Sequence, residues 1–176
     1  MLTKSVRFMI GAVLSAGFLA ACGDSASEAR KAAAESKGLQ ARLPMELARL
    51  PSTTIQECNL EVVDEQRFHG SATVSIASNS QHTFHGWIIH KNAGVVPEKV
   101  WVRFTASDGV ALYGSVIEHV ERQDVGVVHG APFVGAGFKA RSEAGALTPG
   151  DYQLAITALS TGHVLVCEPG VRISVH

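Results

Sequence analysis

Hydrophobic and polar positions divide the chain into three stretches. Residues 8–21 form an apolar run, preceded by Lys4 and Arg7 and relieved by Gly11, Ser15 and Gly17. Residues 23–52 are rich in Ala, Ser, Glu, Lys and Arg, with no large apolar side chain before Leu39, after which come Leu43, Leu47 and Leu50. From residue 53 the texture changes to short runs of Val, Ile, Thr, Phe, Tyr and Trp separated by Gly, Pro, Asn, Asp and Ser, the chemistry of strands and turns. These runs predict strands over residues 54–63, 71–77, 83–90, 99–106, 111–121, 137–141, 152–159, 163–168 and 171–176. Several alternate with a period of two. Val100, Val102 and Phe104 face one way and Trp101, Arg103 and Thr105 the other, while Tyr152, Leu154, Ile156 and Ala158 share a face. Ser107-Asp108-Gly109 and Thr161-Gly162 predict tight turns.

Eight or nine short strands at this spacing, with no convincing helix among them, predict an all-β fold. The expected architecture is an antiparallel, immunoglobulin-like β-sandwich over residues 54–176, with two sheets packed on a shared core. Residues 22–53 read as a flexible or partly helical tether. The Ala-rich part, 26–37, has high helix propensity but is too short to be stable alone in water. Pro44 and Pro51 interrupt the leucine spacing, so a solvated linker is expected. The first 21 residues have the layout of an export signal, basic and then apolar, and fall short of the roughly 20 apolar residues that span a bilayer.

The apolar run ends Leu19-Ala20-Ala21-Cys22, which resembles the bacterial lipobox. That resemblance implies that residues 1–21 are a cleaved lipoprotein signal peptide and that Cys22 becomes the lipid-bearing first residue, attaching the protein to a membrane. Each buried acyl methylene contributes about 0.8 kcal/mol, and more than one chain makes such an anchor stable. Gly23 after the cysteine is similar to the pattern of lipoproteins sorted to the outer membrane, so the expected location is the bacterial cell envelope. An exported chain meets an oxidising compartment. There the two remaining cysteines, Cys58 and Cys167, are expected to pair. Closing a loop of about 100 residues is worth up to ~4.7 kcal/mol on a chain-entropy argument. The alternative, a catalytic thiol, needs an unpaired cysteine and a nearby base.

Composition narrows the partners. The chain is 46% hydrophobic and 18% charged, within the ordinary globular range. Of its 15 basic residues Lys4 and Arg7 lie in the signal, leaving 13 against 16 acidic ones, and no basic run is present. A nucleic-acid partner is therefore not expected.

Further along, Cys58, Phe84-His85-Gly86-Trp87, Val100-Trp101-Val102, Tyr113, Arg122-Gln123-Asp124-Val125, Ala136-Gly137-Phe138, Pro149-Gly150-Asp151-Tyr152 and Cys167 follow one another in an order that resembles a β-sandwich module. Such modules are similar to the extracytoplasmic tail domains of bacterial membrane proteins and glycan-handling enzymes. The resemblance covers most of residues 55–176 and implies a fold rather than an activity.

Candidate chemistry is sparse. His82, His85 and His90 lie closest together among eight histidines, but strand offsets of three and five put neighbours on opposite faces, and neither a metal nor another cofactor is expected. A Gly-x-Ser-x-Gly elbow is absent, and Ser115 falls inside an alternating strand. Glu118, Glu121, Asp124 and Asp151 offer carboxylates that a sheet surface carries for solvation, so no catalytic set is assigned. Arg122 and Asp124 form a directed pair that either braces the following turn or contacts a polar ligand. Trp87 is expected in the core and Trp101 exposed as an aromatic contact. The function expected is a non-catalytic envelope lipoprotein that binds a glycan or a protein. The alternatives are an enzyme acting on envelope glycan and a structural subunit of a membrane complex.

Overall fold

The computed structural model describes residues 22–176, so the signal peptide expected over residues 1–21 lies outside the described residues. In chain order the elements are α1 (Cys22–Glu35), α2 (Met45–Ala48), β1 (Ser52–Thr54), β2 (Cys58–Val63), β3 (Gln66–Arg67), β4 (Ala72–Ile76), β5 (His82–Ile88), β6 (Lys99–Ala106), β7 (Ala111–Val120), α3 (Gln123–His129), β8 (Gly137–Ser142), β9 (Gly150–Ser160), β10 (His163–Cys167) and β11 (Val171–Val175). The protein is mostly β, and every run expected to be a strand overlaps one. The strands join into one curled sheet in the order β1-β10-β9-β6-β7-β8-β5-β2-β3, with β11 paired to β9 and β4 to β11.

Pairing is mixed rather than wholly antiparallel. β1 runs parallel to β10 and β4 parallel to β11, whereas the other ladders are antiparallel. The expectation of an antiparallel fold fails at these two pairs because each joins strands distant in sequence, which no hairpin turn obliges to reverse direction.

The curl is made by β7. Its first half, through Ser115, pairs with β6; its second half, from Val116, pairs with β8 after a bulge between Val116 and Glu118. A bulge bends a strand and raises its twist, which lets one strand serve two walls. Side chains from both walls then meet inside. Phe84 of β5 and Phe104 of β6 pack edge to face with ring centroids 5.1 Å apart. The period-two faces read from the sequence point inward here: Val102, Phe104, Leu154, Ile156 and Ala158 are fully buried. Cys58 of β2 and Cys167 of β10 form a disulfide between the walls, with Cα atoms 6.3 Å apart across 109 residues of sequence. The Thr161-Gly162 turn has positive φ at both residues, 49° and 75°, as a two-residue hairpin requires.

The stretch expected to be a solvated tether is folded onto the domain. Ala34, Leu39 and Leu47 are buried, and Gln40 exchanges backbone hydrogen bonds with Tyr113 of β7 (2.9 and 2.8 Å). Arg30 of α1 reaches Asp108 in the β6–β7 turn at 2.6 Å. α1 ends at Glu35, and Pro44 stands at the N-cap of α2, a single helical turn. What the prolines shape is a strap: Leu43, Leu47 and Leu50 lie against Trp101, Val164 and Val166 on the outer face of β6 and β10. The expected boundary at residue 54 falls inside β1, a strand of the sheet.

Candidate functional site

Near one end of the curl, β2, β5 and β8 lie side by side with an outward face formed by alternate residues. Opposite Trp87 of β5 stand Asn59 of β2 and Gly137 of β8. A side chain at position 137 would collide with the Val120 carbonyl and the Arg122 Cγ, so this glycine opens the space beside Trp87 that the Arg122 stem fills. Glu61 sits at the irregularity between Leu60 and Val62, where β2 gains a residue against β5. Bulges re-aim side chains. Here Glu61 meets both Trp87 and Arg122.

The resulting network is closely bonded. The Arg122 guanidinium donates from Nε to Asp124 Oδ1 (2.8 Å) and from Nη2 to Asp124 Oδ2 (2.6 Å). It also donates from Nη1 to Glu61 Oε2 (2.9 Å) and from Nη2 to Glu61 Oε1 (3.2 Å). Trp87 Nε1 donates to Glu61 Oε1 at 3.1 Å. Hydrogen bonds to Asp124, then those to Glu61, raise the Arg122 pKa against the opposing effect of burial. The Arg122 hydrogen bonds hold Asp124 down at about 2. Asp124 is thus held ionised, and both carboxylates are occupied by Arg122, the opposite of what a free general acid needs. Nearby, burial and then the Lys139 ammonium hold His85 below the ordinary imidazole value, against the pull of Glu118.

This network supports α3. Its first turn carries Asp124, favourable at a helix N-terminus. Gly126 lets Val134 approach where a side chain would stand. The Arg122 amide donates to the Val134 carbonyl at 2.6 Å. Val125 turns inward to a small core with Ile89, Phe133 and Ala136, and His129 stacks obliquely against Trp87 at 5.5 Å between ring centroids. Val127 and Val128 face solvent, 86% and 74% exposed. Beside the helix base a cleft of about 310 Å³ is lined by Glu61, Arg67, His85, Arg122, Asp124 and Phe138, among others.

Of the residues singled out from sequence, Arg122 and Asp124 are adjacent and joined, in the bracing role. Trp101 is not with them. Expected to be exposed, it is only 6% exposed beneath the strap, while Trp87, expected in the core, is half-buried at the site. The exchange has a simple cause: alternation sets which face a side chain takes, and the strap decides that Trp101's face is covered. His82, one of the three clustered histidines, is buried, with Nδ1 2.7 Å from Asp64 Oδ2 and Nε2 2.7 Å from the Ala77 carbonyl. Cys22, the expected lipidation site, is the first residue of α1. Sequence reasoning missed Glu61, His129 and the exposed valine pair. Glu61 carries no local signal, but two consecutive valines beside a glycine in a polar turn are visible in the chain.

A comparison of the chain with protein-family models, curated proteins and solved structures gave no significant match.

Proposed function

We propose that the chain is a lipoprotein of the bacterial envelope, anchored through Cys22 and sorted to the outer membrane, whose immunoglobulin-like β-sandwich binds a protein partner through α3. The observation that carries the reading is the presentation of Val127 and Val128 to water on a helix held by Arg122, Asp124 and Glu61. Exposed apolar side chains scattered singly are ordinary. A pair on a braced helix whose next residue, His129, stacks on half-buried Trp87 is different, since apolar side chains already held in place cost little further ordering on binding. The lipobox resemblance and the disulfide support an oxidising, membrane-tethered setting.

A second reading, glycan binding, is favoured by Trp87 bordering the polar cleft of Glu61, Arg67 and His85. A photo-crosslinking residue at Val127 or Val128, in the full-length protein in intact cells, separates the two. One discrete protein adduct from either position, absent when the crosslinker stands at exposed Gln153 on β9, is the result expected. No adduct, with binding to an envelope glycan that is lost in Trp87→Ala, would replace the first reading with the second. For the anchor, Cys22→Ser is expected to abolish labelling by a palmitate analogue and retention in the membrane fraction; unchanged retention would refute it.

A further inference from the structure

The strap roofs a second cleft, of about 210 Å³, on the outer face of β6, β9 and β10. A water needs only about 10–15 Å³. Its floor holds Thr157 and Arg103, and its apolar wall holds Leu43, Leu47, Leu50 and Val166. Thr157 stands between Trp101 and Val166 in the ladders and is 2% exposed, yet its hydroxyl has no hydrogen-bond partner. Arg103 Nε is likewise buried and unpartnered. The guanidinium's one charge partner among the described residues is Glu168, from Nη2 at 3.1 Å, on a carboxylate 51% exposed. Buried polar groups are normally satisfied, so two orphans on the floor of one cavity are a signal.

We propose that this cleft binds a medium-chain monocarboxylate, its carboxylate on Arg103 Nε and the Thr157 hydroxyl and its hydrocarbon chain along the strap leucines. A guanidinium N–H beside a hydroxyl matches the acceptors of a carboxylate. The leucine and valine wall selects an alkyl tail over a sugar or a free phosphate. Glu168 competes for the same cation. The site is distinct from the α3 face and does not rest on the lipoprotein reading.

The protein contains two tryptophans, so Trp87→Phe leaves Trp101, beside Thr157, as the reporter. Titration of the full-length Trp87→Phe protein with octanoate is expected to give a saturable change in Trp101 emission, and octylamine none. Thr157→Val, which removes the hydroxyl while keeping shape, is expected to weaken octanoate at least 10-fold with unchanged circular dichroism. Glu168→Gln, on the exposed side, is expected to tighten it. Absence of saturation, equal responses to octanoate and octylamine, or unaltered affinity in Thr157→Val would each overturn the proposal, leaving a cleft that holds water.

Discussion

Replacing Arg122 with alanine removes the brace beneath α3, and the structure sets the size of the effect. Without the guanidinium, Glu61 keeps, among the described residues, only the Trp87 indole as a side-chain partner, in a place where its own side chain is 19% exposed. Breaking a fully buried ion pair on one side costs about 3–5 kcal/mol. With a fifth of each partner's side chain still in water, about 2 kcal/mol is expected here. Asp124 adds a smaller part that depends on pH. Its side chain is 66% exposed, so solvent screening limits that part to under about 1 kcal/mol. The hydrogen bonds from Arg122 lower its pKa from 3.8 to about 2. A carboxyl depressed in the folded state contributes stability that is complete well above pH 3.8 and is lost as pH falls through about 2. Arg122→Ala is therefore expected to cost about 2–3 kcal/mol at pH 7. The gap to the wild type should narrow by less than about 1 kcal/mol between pH 4 and pH 2. Urea denaturation followed by tryptophan emission, without reductant, measures both. A loss under about 0.5 kcal/mol at pH 7, the range of an ordinary surface substitution, would refute the bracing argument. So would a gap that widens in acid.

Asp64→Ala takes the acceptor from His82 Nδ1 and from the Thr83 amide, 2.8 Å from Asp64 Oδ1; with His82 buried and Asp64 38% exposed, thermal unfolding is expected to register a loss of about 1–3 kcal/mol, and an unchanged midpoint would count against the part-buried pair. The double variant Cys58→Ser, Cys167→Ser is expected to lose up to ~4.7 kcal/mol and to become indifferent to reductant, which the wild type is not. Leu47→Ala loosens the strap at its buried leucine, 6% exposed; about 2 kcal/mol of destabilisation is expected, with acrylamide quenching Trp101 more readily, and quenching equal to wild type would mean the strap does not shield that ring.

Local regularities were legible in the chain because they are set by backbone geometry. A strand places successive side chains on opposite faces, so the inward sets of β6 and β9 could be read from alternation alone. The Thr161-Gly162 turn announced itself through the backbone freedom that its positive φ values demand. The pairing of Cys58 with Cys167 followed from there being two cysteines left once Cys22 was assigned to lipid. The export and lipidation readings are statements of sequence throughout, since residues 1–21 lie outside the described structure. Other contacts between distant segments were not legible, because no local preference encodes them. Glu61 joins Arg122 across 61 positions, and the direction of β4 beside β11 follows from how the sheet curls. Helix α3 carries β-branched residues and a glycine with weak helix propensity, so packing of Val125 and the Arg122 brace hold what propensity does not. Cys22, expected from the sequence to carry lipid, marks where the sequence reads a tether. Tertiary structure turned the far end of that stretch into a strap, because Leu43, Leu47 and Leu50 leave water by covering Trp101, and burial answers to the whole fold.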